Sequence, residues 1–160
     1  MAPCEANDYL AEHAALLIRS YRHWTGRNLV DAALSLAASA RVLYEAPFVV
    51  LSHDTAADPR FTYANLSAQR LFEMPWDQLV GMPSRYSAEP LAREERERLL
   101  TWVAEQGYTD DYSGIRVSRS GKRFLIRRAT VWNLLDGSGK VCGQAACFAE
   151  WEPAIPPLNT

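Results

Sequence analysis

The segment FTYANLSAQRLFEMPWDQLVG, from Phe61 to Gly81, restricts the folds open to this chain more than any other. Phe61 and Tyr63 alternate with smaller residues in the two-residue period of a strand. From Asn65 onward the apolar residues Leu66, Leu71, Phe72 and Leu79 fall at helical spacings. A strand therefore passes directly into a helix at Asn65. The side-chain oxygen of an asparagine at such a junction can accept a hydrogen bond from the first helical turn, worth about 1 kcal/mol over alanine. Gly81 closes the segment, because a left-handed backbone costs glycine little.

Two amphipathic helices are expected ahead of this segment. From Asn7, the residues Leu10, Ala14, Leu17, Tyr21 and Trp24 recur in steps of four and three until Gly26. Asn28 can cap a second helix carrying Leu29, Ala33, Leu36, Ala40 and Leu43, which Pro47 ends. The stripe on the first helix has two readings: it packs on the domain that follows, or it forms a homodimer seam. PFVVL, from Pro47 to Leu51, is a compact apolar run and reads as a buried strand. Ser52 to Pro59 then turns the chain back.

Beyond Gly81, a helix is expected from Leu91 to Gln106, with Leu99, Trp102 and Val103 as its inner edge and Arg93 to Arg98 as its solvated face. The last third reads as three strands, Tyr112–Ser118, Lys122–Leu135 and Val141–Trp151, joined by RSG and DGSG turns. Along the middle strand the set Phe124, Ile126, Arg128, Thr130, Trp132 and Leu134 is more apolar than its alternate, so it is assigned to the core side. Arg128 is the odd member. Strands on both sides of a helical middle indicate an α+β fold. The expected architecture is a five-stranded antiparallel sheet with helices on one face and an N-terminal helical extension. Phe124, Ile126, Trp132 and Phe148 would pack on the helices between Asn65 and Gln106. Residues 1–45 form the extension, 46–151 the domain, and 152–160 an extended, proline-rich tail.

A chain of 160 residues is long enough for one domain that buries about 70% of its extended surface. Its net charge of −2, with Arg and Glu intermixed, offers no basic face for a nucleic acid. No apolar run approaches the ~18 residues of a membrane span, and MAPCEANDYL lacks the order of a signal peptide, so a cytoplasmic location is expected. Cys4, Cys142 and Cys147 show no C-x-x-C spacing and leave an odd thiol, which fits a reducing compartment and argues against structural zinc.

The order strand, Asn, helix, Gly resembles the core of PAS sensory domains. SYRHWTG from Ser20, LYEAPFVVLSHDTAADPRFTYAN from Leu43, PSRYSAEPLAREERERLL from Pro83, EQGYTDDYSGIRVSRSGKRFLI from Glu105 and ATVWNLLDGSGKVCGQAACFAEW from Ala129 resemble, more closely, the PAS-related MEKHLA domain. This resemblance runs from Ser20 to Trp151. It implies a PAS-like module that senses or binds something, of the free-standing bacterial type rather than the type that ends plant class III homeodomain-leucine-zipper factors. Light-sensing PAS domains carry a flavin-bonding cysteine in a G-x-N-C-R-F motif, where GMPSRY here places Ser84; the glutamine of their last strand is matched by Phe148. Oxygen-sensing PAS domains ligate haem through a histidine on the long helix, whereas His13, His23 and His53 all precede it. Neither covalent flavin nor haem by those routes is expected, and the cofactor is left unknown.

The residues that would hold a ligand follow from the inner faces. Arg128 could neutralise a carboxylate bidentately or pair with a structural acid. Trp132, Gln144 and Phe148 could line a pocket or be plain core, with Gln144 orienting the ligand. Tyr63, Tyr86 and Tyr112 offer hydroxyls. Trp76 and Ser84 lie on the segment, from Trp76 to Leu100, that would close the pocket. No catalytic set emerges: His53 and Asp54 are neighbours in a turn, and nothing around Ser84 resembles a nucleophile elbow. The expected ligand-binding set is therefore Tyr63, Trp76, Ser84, Tyr112, Arg128, Trp132, Gln144 and Phe148. Two function classes stay open: a non-enzymatic sensory module for a small, partly apolar molecule, and a small enzyme or accessory protein using the same pocket.

Overall fold

The computed structural model of the chain describes residues 1–154, apart from the side chains of Pro90 and Leu91. After a short turn at Glu5–Leu10 come helices α1 (Ala11–Thr25) and α2 (Leu36–Glu45), strands β1 (Val49–His53) and β2 (Phe61–Ala64), and helices α3 (Leu66–Phe72) and α4 (Trp76–Leu79). A 3-10 turn at Ser84–Ser87 leads into α5 (Pro90–Gln106), followed by β3 (Tyr108–Val117), β4 (Arg123–Leu135), β5 (Val141–Phe148) and β6 (Glu150–Pro153). The sheet order is β2-β1-β5-β4-β3, with β6 also on β4, and every pairing is antiparallel. The expected α+β class holds. The expected last strand is broken at Ala149 into β5 and β6, so the sheet has six strands rather than five. The expected tail enters β6 at Glu152 and Pro153, and from residue 155 lies outside the described residues.

Asn65 does more than cap α3. Its Oδ1 accepts the N–H of Ala68 (3.1 Å) and of Val50 (3.0 Å), while its Nδ2 donates to the carbonyls of Leu43 (3.1 Å) and Phe48 (2.8 Å). One fully buried amide thus joins the end of α2, strand β1 and the start of α3. The helical run expected to Gly81 is interrupted at Glu73, whose φ is 59°, and restarts after Pro75. The Glu73 carboxylate accepts the Ser120 N–H and the Ser118 hydroxyl, each at 3.1 Å, which ties this left-handed turn to the β3–β4 connection.

Helices cover both faces of the sheet, not one. On the outer face, α1 and α2 bury Ala14, Leu17, Tyr21, Ala40, Leu43 and Tyr44 against Val50, Tyr63, Trp132 and Leu134. The stripe expected as a dimer seam is therefore occupied by this chain's own sheet. Residues 1–45 and the strands after them share one core. The second helix begins at Leu36 with Ser35 as its cap (Ala38 N–H to Oγ, 3.3 Å), not at Asn28. Asp31 accepts the Ala33 N–H at 2.9 Å, a local turn that competes with helix there.

On the inner face Leu51, Phe61, Phe124, Ile126 and Phe148 pack with Ala68 and Phe72 of α3. Helix α5 turns Arg96 (5% exposed) and Val103 (0%) inward and leaves Trp102 at 54%, which corrects two expectations at once. Arg96, Leu100 and Val103, at i, i+4 and i+7, make the inward stripe.

Among the register shifts of the sheet, two decide where expected pocket residues point. In β2, His53 pairs with Phe61 but Ser52 pairs with Tyr63, so Thr62 is an extra residue and Tyr63 points to the outer face. In β4, Tyr112 pairs with Ala129 and Gly114 with Ile126, so Ser113 stands opposite both Arg127 and Arg128, and Arg128 has φ 53°. A one-residue slip exchanges the faces of everything beyond it. Phe124 and Ile126 face inward as expected. After the bulge the inward residues are Ala129, Val131 and Asn133, while Trp132 and Leu134 pack on the N-terminal helices.

Candidate functional site

Between the inner face and α5 lies a cavity of about 80 Å³. Its apolar wall is Leu51, Phe61, Phe72, Ile126, Val131 and Phe148. Its polar wall is assembled from five elements, Gln144 coming from β5. His53 ends β1, Ser84 and Ser87 sit in the 3-10 turn, Arg96 projects from α5, and Tyr112 and Arg116 come from β3.

Each polar group is held by its surroundings. Arg96 donates through Nη2 to Ser84 Oγ. The Ser84 N–H is fixed on the Pro59 carbonyl (2.8 Å), and Ser87 Oγ donates to the Ser84 carbonyl (2.7 Å). Arg116 donates to its neighbour's carbonyl at Ile115 (2.8 Å) and to Tyr112 Oη (3.3 Å). Gln144 Nε2 bonds the Leu100 carbonyl (2.9 Å) and Asn133 Oδ1 (3.1 Å), while Asn133 Nδ2 reaches the Val103 carbonyl (2.9 Å). These amides hold α5 on the sheet. His53 Nδ1 lies 2.8 Å from the Asp54 carbonyl and must donate there, so Nε2 carries the lone pair; it is buried without a partner.

The electrostatics of the cavity are one-sided. Burial lowers the Arg96 guanidinium to about 10, and the charge of Arg116 pushes the same way; it stays protonated at neutral pH. Burial also lowers His53, with Arg96 adding to the effect, so this imidazole is neutral. Among the described residues, neither Arg96 nor Arg116 has a carboxylate within 4.0 Å, and no Asp or Glu lines the cavity.

Of the eight expected ligand-binding residues, Ser84, Tyr112, Gln144 and Phe148 meet in this cavity. Tyr63, Trp76 and Trp132 do not, because they belong to the outer core: Tyr63 packs edge-on to Trp76 (5.6 Å between centroids) and stacks on His13 (5.5 Å), and Trp132 meets Tyr21 edge-on (5.0 Å). Arg128 is exposed, lines a separate surface groove and meets Glu150 at 3.5 Å in a solvated surface pair, so it is neither in this cavity nor part of a buried structural pair. Tyr86 stands outside, between the guanidinium groups of Arg85 and Arg93. Sequence reasoning missed Arg96, Arg116 and Ser87. The first could have been found from its i, i+4, i+7 relation to Leu100 and Val103.

The MEKHLA domain model matches residues 11–153, which takes in α1 and the whole sheet. The chain belongs to the MEKHLA domain family. Among its relatives are the homeobox-leucine zipper proteins HOX29 of Oryza sativa subsp. indica (28% identity over 136 residues) and subsp. japonica (28% over 142). Those alignments cover 83% and 84% of this chain but 15% and 16% of the rice proteins, so it spans only a small part of their length. The fold is that of PAS domains. The PAS domain of a Colwellia psychrerythraea protein superposes with a TM-score of 0.64 at 13% identity, covering 74% of this chain and 96% of that one. An RNA-binding light-oxygen-voltage receptor gives 0.63 at 18% identity (78% and 36%), and a light-oxygen-voltage domain studied with a flavin analogue gives 0.58 at 17% (74% and 85%).

The site of this MEKHLA domain does not fit a flavin. Its cavity of about 80 Å³ is far below the several hundred Å³ of pockets for molecules of that size. Ser84, at the position of the flavin-bonding cysteine, is engaged by Arg96. Among the described residues no group of three or more His, Cys, Asp or Glu could hold a metal ion, and no helix is long and apolar enough to cross a membrane.

Proposed function

We propose that this MEKHLA domain is a non-enzymatic sensory module that holds a small, partly apolar molecule, non-covalently, between the inner sheet face and α5. The observation that carries this reading is the polar wall of an otherwise apolar cavity. Among the described residues the His53 side chain, which lines the cavity, keeps its buried Nε2 without a partner, an arrangement a sealed core disfavours. The enzyme reading lacks comparable support: the Ser84 hydroxyl is engaged by Arg96, and His53 Nδ1 is turned to the Asp54 carbonyl. Three free cysteines fit a cytoplasmic setting, and the charge of −2 speaks against a nucleic-acid partner. A homodimer through the N-terminal helices would use a surface other than the buried stripe, such as the exposed Leu36 and Val42 of α2.

Native mass spectrometry of the purified chain tests the reading. A stoichiometric adduct should appear under gentle conditions, vanish on denaturation, and be absent from Ala129→Leu, which fills the cavity. A bare mass throughout, together with no binder from a library of small fragments, would refute it.

A further inference from the structure

The polar wall also specifies the charge of its occupant. Arg96 and Arg116 reach the cavity from two different elements, α5 and β3, and the charge of Arg116 acts on Arg96. Other arginines near them are held in ion pairs, such as Arg85 to Asp58 at 3.0 Å, Arg123 to Glu89 at 2.6 Å and Arg127 to Glu152 at 2.6 Å. Arg96 and Arg116 have no such carboxylate among the described residues and share one enclosure with each other. A buried guanidinium with no carboxylate in contact is costly and a second one nearby adds repulsion; for Arg96 the charges of Glu97 and Asp58, both beyond ion-pair distance, only partly offset this.

Hydroxyls complete the arrangement. Ser84 Oγ and Tyr112 Oη each accept from one of the two arginines, so each keeps its own proton to donate. The opposite wall, with Phe61, Phe72, Ile126 and Phe148, suits a hydrocarbon body.

We propose that the occupant is a small organic carboxylate, its anionic end between Arg96 and Arg116 and its apolar end against Phe72, Ile126 and Phe148. This rests on the ligand-binding reading above and deepens it. A carboxylate presents two oxygens in the plane that a guanidinium fork matches. The apolar wall favours it over a free inorganic anion, which would leave that wall unfilled. His53 Nε2 remains as an acceptor for a hydroxyl or N–H of the ligand.

Calorimetric titration of the full chain with acetate, butyrate, benzoate and octanoate, with butyramide, benzamide and octanamide as neutral counterparts, and with inorganic phosphate, decides the point. At least one acid should bind about 30-fold or more tighter than its amide, the range expected when a charge-assisted contact is lost. Arg96→Met and Arg116→Met should each bring that ratio below about threefold while urea unfolding stays cooperative. Should Arg96→Met fail to fold, Arg96→Lys, which keeps the charge but not the fork, should retain an intermediate ratio. Amides that bind as tightly as their acids would overturn the charge assignment and leave the ligand-binding reading standing. Phosphate binding as tightly as the best acid would overturn the carboxylate. No binding by any of the acids would refute the proposal, and a bare native mass in addition would remove the ligand-binding reading with it.

Discussion

Replacing Asn65 by alanine separates a simple helix cap from a junction. An exposed N-cap asparagine contributes about 1 kcal/mol. Here the side chain is fully buried and makes four bonds, to the N–H groups of Val50 and Ala68 and the carbonyls of Leu43 and Phe48. Truncation leaves two buried donors without acceptors, at about 1 to 3 kcal/mol each, and removes two further bonds worth about 1 kcal/mol apiece. Partial relaxation reduces the sum, so Asn65→Ala should cost about 3 to 5 kcal/mol, a large share of the ~5 to 15 kcal/mol that holds a domain folded. Urea unfolding followed by tryptophan fluorescence reads this as a lower midpoint at unchanged slope. Asn65→Asp sharpens the test, since it keeps an acceptor for Val50 and Ala68 but turns a charged oxygen toward the Leu43 and Phe48 carbonyls. It should be at least as damaging. A cost of about 1 kcal/mol or less for alanine would show that the bonds across to α2 and β1 add nothing to the cap.

Three further outcomes follow from the same structure. Burial lowers the pKa of both His13 and His53 below the usual 6.5. The unfolded chain therefore takes up protons first on acidification, and stability is full above that value and falls as pH drops below it. Glu73, which the Ser120 hydroxyl and Lys122 hold down to about 2, adds a second loss between its unfolded value and that point. A urea midpoint that stays constant from pH 7.5 to 5 would contradict this. Trp132→Ala should cost about 3 to 5 kcal/mol and expose α1 to limited proteolysis, whereas Phe148→Ala should leave α1 protected; equal cleavage in both would refute the two-sided core. Burial raises the half-buried Cys147 thiol, at the edge of the Arg128 groove, to about 12, while Cys142 is exposed. A variant retaining only Cys147 should resist a disulfide reagent at pH 8 until urea is added, and rapid native labelling would show the outer core to be open.

The strand-to-helix junction was legible because local chemistry dictates it: Asn65 caps, Pro75 restarts and Gly81, at φ 94°, turns. The faces of β2 and β4 were not, because alternation carries no mark of an inserted residue. Thr62 and Arg128 each slip the pattern once, and three expected pocket residues, Tyr63, Trp132 and Arg128, are misplaced by those slips. Arg128 did carry the warning: a charged residue on an otherwise apolar face is better explained by a bulge that throws it outward than by a buried charge. Trp76 was misplaced for a different reason, since the break at Glu73 re-aims α4 toward Tyr44 and Tyr63. Arg96 was hidden in a run of charges, where helical phase alone distinguishes the inward residue from its neighbours. The cover supplied by α1 and α2 resolves the two open readings of their stripe in favour of the chain's own sheet.

Asn133 shows how the two covers of the sheet are fastened to each other. It lies one residue past Trp132, whose partner Tyr108 begins β3, so the strand that would satisfy its backbone is ending. Its N–H still reaches the Gly107 carbonyl (2.9 Å), but its own carbonyl points the same way with no strand left to meet it. The indole of Trp24, from α1, supplies that donor at 2.9 Å. Gly107 makes room: at φ 98°, a Cβ there would stand 2.3 Å from the Trp24 ring. On the other side of the strand, the Asn133 side chain holds the Val103 carbonyl of α5 and accepts from Gln144, which lines the cavity. Contacts that hold α5 over the pocket and one of the hydrogen bonds that dock the N-terminal helix, alongside Leu135 N–H to Ser20 Oγ (2.9 Å), thus meet at one buried residue. A shift of α5 or Gln144 around an occupant would act on α1 through directional hydrogen bonds that are buried or part-buried, whereas the apolar contacts of either face can slide.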